Sequence, residues 1–229
     1  MLKINRERDV SRLEGFSDAV FAFAATLLVV SLEVPRSFAD LIAQLTGFLA
    51  FAITFAALVA IWTVHKAFYR RFAMTDGWTV FLNSALLFVV LFYVFPLKFL
   101  TESFFFAVVG IGRTEITLAG PHELQQLFML YGAGFGAIFL CITLLYFHAW
   151  CRRAELQLDA ESAWQAAMLA RHYLLFVLVS LLSILVAALG WGLGFGLSGF
   201  AYFLLGPLCY LQAVLSERRR PQPEALAVN

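Results

Sequence analysis

The sequence predicts an all-α membrane protein with six transmembrane helices and both termini in the cytoplasm. Of its 229 residues, 62% are hydrophobic and 14% charged, and the mean hydropathy is +0.84, whereas a soluble domain has about a quarter of its residues charged. The apolar residues form six segments, each long enough to cross a hydrocarbon core of about 30 Å as a helix. The basic residues are concentrated on one side of these segments.

The six segments define one predicted domain, residues 1–216, followed by a cytoplasmic tail, residues 217–229. Helix is the expected state of each segment, because an isolated strand in lipid would leave its backbone groups without hydrogen bonds. The longest polar stretches, 151–169 and 110–123, are interpreted as connectors. The predicted spans are 14–34, 39–65, 78–104, 124–150, 170–190 and 195–216.

The distribution of basic residues predicts the orientation of the spans. Only Arg36, Lys98 and Arg113 fall on the outer side if the N-terminus is cytoplasmic. The inner side then holds Lys3, Arg6, Arg8, Arg12, Lys66, Arg70, Arg71, Arg152, Arg153, Arg171, Arg218, Arg219 and Arg220. An excess of Lys and Arg marks cytoplasmic loops, so we expect a multi-pass protein of the cell membrane, most simply a prokaryotic cytoplasmic membrane.

Enzyme chemistry is not indicated by any motif. We find no Ser/His/Asp or Cys/His arrangement, no deep carboxylate pair and no phosphate-binding loop, so we predict a protein that is not an enzyme and needs no cofactor. The three cysteines are far apart and lack metal-ligand spacing. The glycines of 194–199 match a dinucleotide-binding pattern but follow no strand of a βαβ unit. The basic residues are spread over four segments, which argues against a nucleic-acid partner.

The start of the first span is the most informative segment. Ser17 and Asp18 lie at its inner end and are followed by about a dozen apolar residues. An ionisable group at that depth is costly and is a functional candidate. It could equally be a helix N-cap that satisfies free backbone N–H groups.

Further along the same span, Phe23, Leu27 and Val30 have helical spacing and fall on one stripe, with Thr26 beside it. Such a stripe is usually ordinary packing, although it could line a pore. Thr26 could face that pore or bond back to its own helix.

Two polar residues on the next spans lie at the depth of Asp18. His65 is near the end of the second span and Asn83 is about one turn inside the third. His65 could be a satisfied structural residue or a hydrogen-bonding and titrating partner of Asp18. Asp18, His65 and Asn83 would form one polar layer if the first three spans pack together.

The pattern Arg12-x-x-x-Phe16-Ser17-Asp18, at the start of the first of six spans, resembles the signature of the endosomal and lysosomal potassium channel family, which has shorter bacterial members. Residues 19–30, the segment Leu32-Glu33-Val34-Pro35, Trp62-x-x-His65, and Asp76 with Asn83 fit the same family. The resemblance covers about the first hundred residues; the later spans match only in hydropathy and number.

The resemblance implies a potassium channel that lacks the TVGYG carbonyl filter. Bacterial members assemble as tetramers with the first span of each subunit lining the pore. The motif residues Arg12, Phe16, Ser17 and Asp18 would then join a network between helices with His65 and Asn83. Phe23, Thr26, Leu27 and Val30 would line the pore, with the constriction at Phe23 and potassium preference at Thr26.

Phe23 departs from the family, in which this position is usually Ile or Leu. Phenyl rings from several subunits could close the path by dewetting, offer their faces to a cation, or turn aside and leave Leu27 as the narrowest point.

The predicted function is a homotetrameric, potassium-selective leak-type channel with a hydrophobic constriction. Its partners would be further copies of the chain and membrane lipids, and potassium would be the permeant ion. Protons are a further candidate permeant, with His65 the residue to test. The alternatives are a secondary or proton-coupled transporter, which would require a polar site at mid-membrane depth, and a non-conducting membrane scaffold.

Overall fold

The structure is a computed structural model that describes residues 2–31, 35–38, 41–42, 48–109, 120–192 and 196–221. Every regular element in this part of the chain is a helix. They are α1 Leu2–Val30, α2 Phe48–Phe72, α3 Gly77–Val109, α4 Pro121–Cys151, α5 Ala160–Ala188, α6 Leu197–Phe200, a short 3-10 helix Ala201–Leu204, and α7 Leu205–Glu217.

Within the described ranges, six helical segments are long and apolar enough to cross a membrane, as the sequence predicts. They are Arg12–Val30, Phe48–Phe72, Gly77–Ser103, His122–Cys151, Ala160–Ala188 and Leu197–Glu217. The chain is therefore a multi-pass membrane protein. Several predicted features lie outside the described residues: the Leu32-Glu33-Val34 segment, part of the second span before residue 48, Arg113, the glycine turn at 193–195, and the tail beyond residue 221.

Two helices extend beyond the ends of the predicted spans. The second span was predicted to end at residue 65, but α2 continues to Phe72, and the backbone leaves the helix at Ala73 with a φ of 45°. The fifth was predicted to begin at residue 170, but α5 begins at Ala160. Asp159 caps this helix by accepting a hydrogen bond from the Ser162 backbone N–H at 2.8 Å. Hydropathy marks the apolar part of a helix, whereas the helix itself ends where capping and backbone geometry end it.

The last span is also less regular than predicted, because α6 and α7 are joined by the 3-10 turn Ala201–Leu204. Pro207 lies in the first turn of α7. Proline has no N–H and its ring crowds the carbonyl four residues earlier, so the α-helical ladder cannot run unbroken through this point. A 3-10 turn is a common local substitute.

Hydrogen bonds and close contacts between helices give their relative directions. Ser17 of α1 bonds to Asn83 of α3, and Ser31, which directly follows α1, bonds to Lys98 of α3, so these two helices run parallel. Contacts between α3 and α4 instead pair Asp76 with His148 and Tyr93 with Tyr131, which is an antiparallel arrangement.

The remaining helices follow the same alternation. In α2, His65 bonds to Asn83 and Thr54 to Thr101 of α3. Close approaches between α4 and α5, and hydrogen bonds between α5 and the last span, also pair residues antiparallel. The start of α1 and the end of α7 therefore lie at the same end of the bundle. We call it the basic end, because it carries Arg12, Arg70, Arg71, Arg152, Arg153 and Arg218–Arg220.

The core lies between α3 and α4. Leu86 and Val90 of α3 and Ile138, Ile142 and Leu145 of α4 are almost fully buried. On its other side α4 meets α5 through small residues: a Cβ added at Gly132 would lie 2.5 Å from Ile184 Cγ1, and one at Gly136 would lie 2.4 Å from Ser180 Oγ. Small residues allow this approach, which in lipid is stabilised by packing.

Candidate functional site

Helix α1 has two faces of different character. Ser17, Phe21, Ala24 and Leu28 are at most 5% exposed and pack against the chain's own helices. The opposite face carries the residues that we call the open stripe: Phe16, Phe23, Thr26 and Val30. Phe23 is 56% exposed and Val30 is 71% exposed. Because helical neighbours recur at three and four residues, this stripe is a continuous surface that α2 and α3 leave uncovered.

The buried face of α1 carries a polar trio that joins the first three spans. Asn83 Oδ1 lies 2.6 Å from His65 Nε2, and Asn83 Nδ2 donates to Ser17 Oγ at 3.0 Å. Ser17 Oγ also lies 2.9 Å from the Leu13 carbonyl oxygen, to which it can donate. All three side chains are at most 3% exposed, so each can satisfy its hydrogen-bonding groups only within the protein.

Asp18 lies outside this trio. Its carboxylate accepts a hydrogen bond from Trp62 Nε1 at 2.7 Å, and the Lys66 ammonium lies 4.8 Å from the centre of the Trp62 ring. Asp18 itself is exposed. Of the two alternatives left open for His65, the structure shows the hydrogen-bonded structural residue: its hydrogen bond goes to Asn83 and not to Asp18. Adjacent helical residues point about 100° apart, which sends Ser17 inward and Asp18 to the side.

The other motif residues also lie away from the trio. Arg12 and Phe16 are exposed, and Phe16, at 58%, belongs to the open stripe. Thr26 is on the same stripe and its hydroxyl donates to the Ala22 carbonyl of its own helix at 2.9 Å. That bond uses the one donor of the hydroxyl and leaves its acceptor lone pairs available. Leu27 is half-buried at the edge of the stripe, so Phe23 and Thr26 project further outward than Leu27 does.

A second polar cluster connects α3 to α4 at the basic end. Asp76 accepts a hydrogen bond from Thr79 Oγ1 at 2.6 Å and faces His148 Nε2 at 2.9 Å and Arg152 Nη1 at 3.5 Å. Partial burial acts to raise the pKa of Asp76, but the hydrogen bonds from Thr79 and His148 outweigh it, and the pKa lies below its ordinary value. Asp76 therefore remains a carboxylate that caps α3 and joins it to α4.

Sequence reasoning missed three of these contacts: Trp62 as the partner of Asp18, His148 as the partner of Asp76, and Lys98 as the partner of Ser31. Lys98 Nζ lies 3.0 Å from the Ser31 carbonyl oxygen. One signal for it was available, since a lysine within an apolar run normally has a specific partner. The other two partners depend on the rotation of neighbouring helices, which sequence spacing does not give.

Metal chemistry is not indicated by the site. Among the residues that the structure describes, no group of three or more His, Cys, Asp and Glu side chains is placed to hold a metal ion.

Comparison with known proteins decides the family. Residues 12–93 match the model of the family described as "Endosomal/lysosomal potassium channel TMEM175". A protein of Marivirga tractuosa named "Potassium channel" is 38% identical over 213 residues, which are 89% of this chain and 86% of that protein. The chain belongs to the TMEM175 family. A protein of Chamaesiphon minutus named "Potassium channel Cha6605_3372" is 33% identical over 110 residues, 44% of this chain and 54% of that protein.

Solved structures of TMEM175 proteins have the same fold. The chain is similar to a threonine-to-alanine variant of the potassium channel MtTMEM175, crystallised with a nanobody–MBP fusion, with a TM-score of 0.80 and 35% identity over 90% of this chain and 93% of that one. A TMEM175 homologue from Chamaesiphon minutus, described as a lysosomal potassium-selective channel homologue, gives a TM-score of 0.52 and 26% identity over 86% of this chain and 98% of that one. Membership of a channel family agrees with the expectation that the chain is not an enzyme.

Proposed function

We propose that the chain forms a homotetrameric, potassium-selective leak-type channel of the cell membrane, with a central pore lined by α1 of each subunit. The observation that carries this proposal is the open stripe of α1. Its residues lie on a membrane-spanning helix, yet the subunit's own helices leave them uncovered. Four copies around an axis would bring four such stripes together, and closed cyclic assemblies are the usual form of identical subunits.

The chemistry of the stripe suits a hydrophobic constriction. Phe23 and Val30 would present apolar side chains to the axis, and a ring of such groups restricts ions by excluding water. Thr26, between them along the helix, is the only polar side chain of the open stripe. Its hydroxyl oxygen could contact a partly dehydrated cation, so we assign it the preference for potassium. With no ring of carbonyls to replace the hydration shell, we expect that preference to be modest. No cofactor is required.

His65 is poorly placed for a role in the pore. It lies in the trio on the buried face of α1, and its Nε2 is engaged by Asn83. Any proton flux through the open stripe would therefore bypass His65 in this arrangement, and we propose a structural role for this residue.

The test is ion flux through purified protein in liposomes, with potassium and sodium gradients compared. Wild type should pass potassium faster than sodium, without saturation. Phe23→Ala should raise single-channel conductance, because it removes a ring at the narrowest point. Phe203→Ala is the matched control, since Phe203 is 76% exposed but lies on the last span. Flux equal to that of empty liposomes would refute the channel. Equal conductance of wild type and Phe23→Ala would move the constriction away from Phe23.

A further inference from the structure

Lys98 lies in the half of α3 away from the basic end, which we call the outer half, and it is bonded to the residue that follows α1. Its ammonium donates to the Ser31 carbonyl oxygen at 3.0 Å and to Ser31 Oγ at 2.8 Å. The side chain is only 12% exposed, and its one acidic neighbour among the described residues, Glu102, lies 3.6 Å away on the same helix. The last carbonyls of a helix lack partners within the helix and carry partial negative charge. Lys98 therefore supplies hydrogen-bond donors to the acceptors at the C-terminal end of α1.

Ser31 connects this bond to the final turn of α1. Its hydroxyl donates to the Leu28 carbonyl at 2.7 Å, and its backbone N–H donates to the Leu27 carbonyl at 3.0 Å. Lys98 is thus coupled to the turn that carries Leu27, Leu28 and Val30, which is the outer part of the open stripe.

The two attachments of α1 to α3 are in register. At the inner attachment Ser17 and Asn83 are 66 positions apart in the sequence, and at the outer attachment Ser31 and Lys98 are 67 positions apart. Parallel helices of equal rise keep such a constant offset. The two attachments are about 20 Å apart along α1, at 1.5 Å per residue. The segment with Phe23 and Thr26 lies between them. Its position relative to α3 is therefore set at both ends.

The outer attachment lies beyond a weak point of α3. Pro96 lies inside the helix, two residues before Lys98, and a proline there removes one backbone hydrogen bond and favours bending. The segment after Pro96 is held to α2 by the hydrogen bond between Thr101 Oγ1 and Thr54 Oγ1 at 2.8 Å. Any bend at Pro96 moves Lys98, and with it the end of α1.

We propose that Lys98 is a positioning residue that fixes the outer turn of α1 and so sets the spacing of Thr26 and Val30 around the pore. This inference rests on the proposed function, since it assigns α1 to the pore. Lys98 acts through Ser31 and need not meet the ion. Its charge is offset locally by Glu102 and by the α1 carbonyls.

The test compares Lys98→Met, which keeps the length of the side chain without its ammonium, with Lys98→Arg, which keeps a cationic donor. We expect Lys98→Met to lower the potassium-to-sodium permeability ratio about twofold or more. Residues in contact commonly show interaction energies large enough for such a change. Lys98→Arg should stay nearer to wild type. Ser31→Ala should produce a smaller change, and its effect should vanish in the Lys98→Met background.

Ser103→Ala is the matched control, because among the described residues the Ser103 hydroxyl bonds only to the Phe99 carbonyl of its own helix. The ratio should be compared between samples of equal tetramer stability, so that loss of folding is not counted as loss of selectivity. If wild type conducts and Lys98→Met has the permeability ratio of Ser103→Ala, the inference is wrong. The inference would also be contradicted if the double variant changed the permeability ratio by the product of the changes in Ser31→Ala and Lys98→Met.

A second measurement does not depend on conduction. A spin label at Val30→Cys, in a background in which Cys141, Cys151 and Cys209 are replaced by Ala, reports distances between subunits at the outer end of α1. Lys98→Met should broaden this distance distribution, and Lys98→Arg should not. An unchanged distribution in Lys98→Met would overturn the inference even if wild type carried no current. Absence of wild-type current alone would instead count against the proposed function.

Discussion

Replacing Asn83 by Ala removes the residue that joins the other two members of the buried trio. In the wild-type chain Asn83 Oδ1 meets His65 Nε2 at 2.6 Å, and Asn83 Nδ2 donates to Ser17 Oγ at 3.0 Å. After the substitution Ser17 keeps its hydrogen bond to the Leu13 carbonyl, so the loss of the contact between Ser17 and Asn83 costs little stability. His65, 3% exposed, would be left without that partner, and a buried unpaired polar group costs about 1–3 kcal/mol.

We therefore expect Asn83→Ala to lower the free energy of unfolding by about 2 kcal/mol, equivalent to roughly a 30-fold change in the unfolding equilibrium constant. The expectation is in the middle of that range and not at its top, because polar contacts between membrane helices contribute less than their burial suggests: unfolded helices in the membrane find other partners. The measurement is reversible unfolding of the purified protein in detergent, followed by tryptophan fluorescence.

Ser84→Ala is the matched control for this prediction. Ser84 is the next residue of α3 and is exposed, and within the part of the chain that the structure describes its hydroxyl bonds only to the Val80 carbonyl of its own helix, at 2.9 Å. It should change the free energy of unfolding by less than about 0.5 kcal/mol. If Asn83→Ala and Ser84→Ala were equally stable, the trio would contribute nothing measurable and the reasoning would be refuted.

Three further substitutions test other contacts. Asp76→Asn should lower stability by about 1–2 kcal/mol at neutral pH, because it removes the carboxylate that accepts from Thr79 and faces His148 and Arg152. The pKa of Asp76 is lowered in the folded chain. The stabilisation that Asp76 gives is therefore present above the ordinary carboxyl pKa and is lost as the pH falls through the folded pKa. At that low pH the unfolding free energies of the variant and the wild type should converge. Gly134→Ala should lower stability by about 1–3 kcal/mol in thermal unfolding, since the added Cβ would lie 2.2 Å from Cδ2 of buried Tyr93. Asp18→Asn should reduce the yield of tetramer on size-exclusion chromatography more than the conductance of the tetramers that form.

The controls for these variants come from the same chain. Gly206→Ala matches Gly134→Ala, because an added Cβ at Gly206 meets nothing within 4 Å; equal stability of the two alanine variants would contradict the close packing of α4 on α3. A stability difference between Asp76→Asn and wild type that did not shrink toward acid would exclude the carboxylate as its source. Normal tetramer yield with altered conductance in Asp18→Asn would place Asp18 in permeation.

The sequence was sufficient to predict the fold class, six spans and the channel family. Hydropathy is additive along a segment and the cost of placing charge in lipid is large, so apolar runs identify spans without knowledge of their neighbours. The motif at residues 12–18 also predicts that α1 is the functional helix, and this stays a prediction. The same reasoning did not give the end of α2 or the start of α5, because helices continue into water wherever capping allows.

What sequence alone determined about this protein is therefore local: which residues enter the membrane, and which helix carries the motif. Only the tertiary structure decided which polar groups meet. A rotation of about 100° separates Ser17 from Asp18, and it directs one side chain to Asn83 and the other to Trp62. Likewise, the register of two parallel helices joins Lys98 to Ser31. Such contacts depend on the angle and height at which whole helices pack, and these are fixed by all their side chains together.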